Sequence, residues 1–69
     1  MTEQLKSLEQ RLRHAAGDMW LESGDYWLAN YKKPDFDRAH YNELVEREEI
    51  LSAAATQVQT ALEVIEAVA

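Results

Sequence analysis

At 69 residues the chain has room for a single domain, and a core this small lies near the limit at which apolar burial offsets the entropy of ordering the backbone. Thirteen acidic against seven basic residues leave a net charge of -6, which repels phosphate backbones and anionic lipid and points to basic protein surfaces as natural partners. The chain has no cysteine, so disulfides and most structural metal sites are excluded, and self-association is the expected supplement to the core.

The two histidines, His14 and His40, lie far apart in sequence and read as ordinary surface or interface imidazoles, so no metal and no cofactor are expected. A hydrophobic fraction of 46% beside 29% charged residues is that of a folded protein. The opening MTEQLKSLEQRLRH mixes charge throughout and lacks the apolar stretch of a signal peptide. The longest uncharged run, Ile50 to Leu62, is interrupted by Ser52, Thr56, Gln57, Gln59 and Thr60, so no membrane span is expected and a soluble cytoplasmic location is.

The first helix is expected over about residues 3–31. Leu5, Leu8, Leu12, Ala15, Met19 and Tyr26 recur at helical steps and make up the face that should meet a second helix. Gly17 and Gly24 each cost about 1 kcal/mol relative to alanine in a helix interior, and Ser23, Gly24 and Asp25 together are a weak point. A continuous or merely bent helix is nevertheless the expectation. Past Gly17 the apolar pattern widens, with Trp20, Trp27 and Tyr31 on a second stripe and Leu21 and Leu28 on a third line. Asp18, Glu22 and Asp25 align on the remaining polar face. Such rows are usually solvated, although three aligned carboxylates can also mimic a phosphate track.

Pro34, the single proline, marks the strong break between two helix-compatible segments, and the turn is expected over about 32–36. Lys33 is pushed from helical geometry by the proline, and with Lys32 it places positive charge beside the carbonyl end of the first helix.

The second helix is expected over about 37–67, with Asp37 as its N-cap and Phe36 and Tyr41 forming a hydrophobic staple. Tyr41, Leu44, Leu51, Ala55, Val58, Leu62 and Ile65 alternate steps of three and four, a coiled-coil seam interrupted only by Glu48. Lys6, Arg11 and Arg13 are candidate partners for that carboxylate. A second stripe of Ile50, Ala54, Ala61, Val64 and Val68 makes the helix apolar over more than one partner's worth of surface. Ile50, Ala54, Val58, Ala61, Val64 and Val68 are therefore the expected dimer interface. Glu43, Glu46 and Glu49 add an acidic cluster, within which Arg47 can pair back to Glu43. The fold class that follows is all-α: one domain, a two-helix antiparallel hairpin that dimerises into a four-helix-bundle or coiled-coil-like assembly.

The six aromatic residues, Trp20, Tyr26, Trp27, Tyr31, Phe36 and Tyr41, fall in one window ending just past the turn. A hairpin tip needs large side chains to close its core, which accounts for about half of them. Trp20, Trp27 and Tyr31 line a different face from Met19 and Tyr26, with Gly17 and Gly24 leaving shallow gaps between. That pattern suits a groove for another helix, from a second subunit or a foreign partner, and aromatics are the usual anchors of binding hot spots. The expected partner-binding set is Asp18, Trp20, Glu22, Asp25, Trp27 and Tyr31. Catalysis is not expected, because no carboxylate pair, nucleophile with base, glycine-rich phosphate loop or metal-ligand spacing is present. His40 and Glu43 stand in the reverse of the order used by di-iron bundles, with no repeat on the first helix.

In length, in its long N-terminal helix, in the tip GDYWLANYKKPDFD and in its alanine-rich heptad helix, the whole chain resembles the anti-quorum-sensing anti-activator proteins made early in infection by Mu-like Pseudomonas phages. The resemblance rests on size, architecture and tip sequence, and it assigns no contact residues. It implies a homodimer of helical hairpins, in the host bacterial cytoplasm, that binds the DNA-binding domain of the LuxR-type activator LasR and blocks its access to DNA. It also implies inhibition of the pilus-assembly ATPase PilB. The residues leave two alternatives: a structural or adaptor helical bundle, and a small antitoxin-like regulator that binds DNA, for which no basic groove-reading helix is evident.

Overall fold

The computed structural model describes residues 2–69. They form two α-helices, α1 (Thr2–Asn30) and α2 (Arg38–Val68), packed against each other along their length. The hairpin is a rod of 57 × 14 × 12 Å. It is antiparallel: Tyr26 meets Phe36 and His40 beside the turn, while at the far end Lys6 Nζ lies 3.9 Å from Glu66 Oε1.

α1 runs unbroken through Gly17, Ser23 and Gly24. Neither glycine has positive φ, so the helix tolerates them at the ordinary entropic cost. The helix stops at Asn30, ahead of Pro34. The Asn30 side-chain amide donates to the Tyr26 carbonyl at 2.8 Å, and Tyr31 N–H donates to the Trp27 carbonyl, one of the acceptors a helix end leaves open,. Lys33 N–H donates to the Asn30 carbonyl and Phe36 N–H to the Lys33 carbonyl, closing the turn.

α2 begins as its sequence indicates. Asp37 adopts extended geometry and its carboxylate accepts from the His40 backbone N–H at 3.0 Å, while the Phe36 and Tyr41 rings pack 6.2 Å apart as the staple,.

The helices meet along a heptad seam. On α2 every expected position is buried or half-buried, from Tyr41 to Ile65, with Glu48 half-buried among them. On α1 the line Leu5, Leu12, Met19 and Tyr26 also faces inward, but its companion differs from expectation. Leu8 is 41% exposed, and the second line is Glu9, Ala16, Ser23 and Asn30. Choosing the apolar residues at each step selected Leu8 and Ala15, one position off. The actual line carries small side chains at its centre, which lets α2 approach closely there. Counting outward from the turn, the large Leu44 falls at about the level of Ser23 and the small Ala55 at about the level of Leu12. Such alternation of bulk lets facing side chains interdigitate.

Among the described residues the buried set is brief: Ala16, Leu44, Ala55 and Leu62, with Ser23 as the buried polar residue. The Ser23 hydroxyl donates to the Trp20 carbonyl at 2.8 Å. Glu48 pairs with none of the candidate cations among the described residues. It accepts from the Ser52 hydroxyl at 3.0 Å, while Arg13 binds Glu9 and Gln59, Lys6 reaches Glu66 and Arg11 turns to Ser7. The three cations point along their own helix or toward the C-terminal part of α2, below the level of Glu48. Among the described residues no helix is long and apolar enough to cross a membrane.

Candidate protein-binding surfaces

The aromatic residues divide into two groups. Tyr26, Phe36 and Tyr41 form a cluster with His40 that closes the tip. Tyr26 stands edge-on to His40 at 4.8 Å and tilted to Phe36 at 5.9 Å, and Phe36 in turn meets Tyr41. These rings serve the fold, and each ring pair adds about 0.5–1.5 kcal/mol beyond its area burial.

Trp20 and Trp27 of α1, and Tyr31 one residue past its end, stand outside this cluster. Trp20 is 65% exposed and Trp27 and Tyr31 are each 41% exposed. Trp27 and Tyr31 stack face to face, 4.3 Å apart and within 8° of parallel, and the Lys32 ammonium sits 5.4 Å from the Tyr31 ring. Their spacing of four residues puts them one above the other, so that the two rings present one continuous aromatic surface,. Rigid aromatics lose little rotamer freedom on binding, which suits them as anchors.

Leu21 and Leu28 extend the same surface. They are 56% and 67% exposed. The sequence placed them on a line of their own outside the expected site; in the folded hairpin they flank Gly24 from the side opposite Trp20 and Trp27. The signal was present as a spacing of seven, and the wheel position beside the glycine line gives it meaning.

Asp18, Glu22 and Asp25 are exposed along the edge beyond the leucines. None of the three forms a salt bridge with a cation among the described residues. The acidic cluster of α2 differs, since Glu43 is held by Arg47 at 2.6 Å. A row without such partners leaves its field directed outward.

A second apolar strip occupies the C-terminal half of α2. Ile50, Val64 and Val68 are exposed, as is Ala61, and Ala54 is half-buried. Val58, grouped with them on sequence, sits in the seam against α1 and is half-buried there. By helical register Leu8 and Ala15 of α1 border this strip, while Lys6, Arg13, Trp20 and Trp27 line the other side of the hairpin. The opposing contacts Arg13 to Gln59 and Lys6 to Glu66 mark that other side. The two apolar surfaces are thus separate, one toward the tip and one toward the chain ends.

No protein-family model, characterised protein or solved structure significantly matches this chain.

Proposed function

We propose that this protein is a homodimeric, acidic protein-binding inhibitor that captures the DNA-binding domain of a LuxR-type transcription activator and keeps it from DNA. The pilus-assembly ATPase PilB is a second target by the same resemblance to phage anti-activators. The observation that carries the reading is the exposed stripe of Trp20, Trp27 and Tyr31, with Asp18, Glu22 and Asp25, free of salt bridges among the described residues, on the far edge of the exposed surface beyond Leu21 and Leu28. A DNA-binding domain presents a basic surface shaped for phosphates. Carboxylates meet that surface where phosphates would, and the aromatics supply affinity that electrostatics alone does not. The strip of Ile50, Ala54, Ala61, Val64 and Val68 is assigned to the dimer, because it is uncharged and continuous with the seam.

Pull-down of the purified LasR DNA-binding domain tests the reading. Trp27→Ala and Tyr31→Ala should abolish capture while leaving the circular dichroism spectrum and the solution mass unchanged. If either variant unfolds or changes mass, the aromatics belong to the core or the dimer seam, and the binding surface moves to Glu43, Glu46 and Glu49 of α2. The alternative of a structural or adaptor bundle is favoured by one specific feature, the length of the uncharged α2 strip. Affinity purification from the native host that returns only copies of the chain would support it.

A further inference from the structure

We propose that the α1 surface centred on Gly24 is the seat of a single α-helix of the foreign partner, carrying basic side chains along the edge that meets Asp18 and Asp25, and that a second copy of this chain does not bind there. The proposal rests on the partner-binding reading above and specifies what occupies that site.

Gly24 has Trp20 and Leu21 one turn before it and Trp27 and Leu28 one turn after it, and all four side chains are exposed. By helical spacing Gly24 sits between these four side chains and, lacking one of its own, leaves an open gap among them,. A Cβ built on Gly24 meets no atom within 4 Å, and the same holds at Gly17. With no positive φ and no close neighbour inside the hairpin, neither glycine has an internal reason to be there. Each still weakens the helix relative to alanine. What a missing Cβ provides on an exposed helix surface is closer approach from outside, and a gap among side chains is what an incoming helix's side chain fills in knobs-into-holes packing. Gly17 and Gly24 are seven residues apart, roughly 10 Å along the axis, which matches the ~10–12 Å diameter of one crossing helix.

Charge selects the occupant. A second copy docking here by a two-fold axis would set the same patch against itself. Asp18 and Asp25, at the edge of the patch, would then be set against the same acidic edge of the other copy, and neither has a salt-bridge partner among the described residues. The α2 strip from Ile50 to Val68 carries no charge on its own lines, so self-association has an unopposed surface elsewhere. A partner helix with lysine or arginine on one edge completes the acidic row and presents an apolar residue to the gap.

The test uses the full-length protein with the LasR DNA-binding domain as probe, by titration calorimetry at several salt concentrations. Gly24→Ala should raise the melting temperature while weakening binding, and Gly24→Leu, which fills the gap, should weaken it roughly thirtyfold or more. Asp18→Asn with Asp25→Asn should weaken binding and flatten its salt dependence. If Gly24→Leu binds as the wild type does while Trp27→Ala fails, the binding surface stands and the helix seat is overturned. A salt dependence unchanged in the double asparagine variant overturns the basic edge. A change in solution mass on Gly24→Leu places a second copy at the site and also overturns the proposal. Failure of the wild type to bind the probe removes the partner reading and this inference together.

Discussion

Replacing Glu48 by leucine should stabilise the protein, and the structure allows the size of the effect to be worked out. Glu48 occupies a seam position between Leu44 and Leu51 and is half-buried, with Ser52 Oγ donating to it at 3.0 Å and no cation within salt-bridge distance among the described residues. Removing the carboxylate forfeits a hydrogen bond to a charged, half-buried acceptor, with a net worth of about 1.5 kcal/mol. Most of that is recoverable, because Ser52 can turn to the carbonyl four residues back, as Thr56 and Thr60 do at 3.1 and 3.0 Å. A fully buried leucine contributes about 1.5–3 kcal/mol, and half-burial about half of it. Glutamate and leucine have similar helix propensity, so that term cancels. The expected net gain is about 1 kcal/mol, which for a domain of this size raises Tm by about 4–8 °C. Thermal circular dichroism should be run at one fixed protein concentration, since the proposed self-association would make Tm depend on it. A clear fall in Tm for Glu48→Leu would show that the carboxylate has a partner worth more than the apolar contact, and the reasoning would be refuted.

Leu44→Ala removes the largest fully buried side chain, which is only 2% exposed. The expected loss of about 2–5 kcal/mol is a large share of what so small a core supplies, so urea unfolding should show a sharply lowered midpoint or no folded baseline. Asp37→Ala removes the N-cap bond to His40 and should cost about 1 kcal/mol, read as a small drop in Tm with helix content retained.

The seam of α2 and its start were legible because each is encoded locally. A capping aspartate, a staple pair and a strict heptad need no knowledge of the partner helix. The position of α1 within its own apolar surface was not. More than half its circumference near the tip is apolar, so periodicity alone cannot say which stripe is the inner one. The decision comes from α2, whose Leu44 and Leu51 require small residues opposite, and Ala16 and Ser23 supply them on a line that hydrophobicity would pass over. The same ambiguity explains Leu21 and Leu28. Helical spacing revealed them, but their place beside Gly24 follows only once Ser23, one residue earlier, is known to face inward. The partner of Glu48 was unpredictable for a different reason: a long seam offers several cations within sequence reach, and the antiparallel register assigns Arg13 to Gln59 and Lys6 to Glu66 instead.

The division of the exposed apolar surface into a face for self-association and a face for a foreign partner is tested most directly by the mass of the protein in solution. Light scattering behind size exclusion at micromolar concentration should give twice the 8.0 kDa chain mass for the wild type and for Trp27→Ala. Ile50→Glu combined with Val64→Glu should reduce it to one chain mass with loss of stability. A wild-type protein that is stably folded and monomeric under these conditions, or a dimer lost on Trp27→Ala and retained in the α2 double variant, would contradict the account.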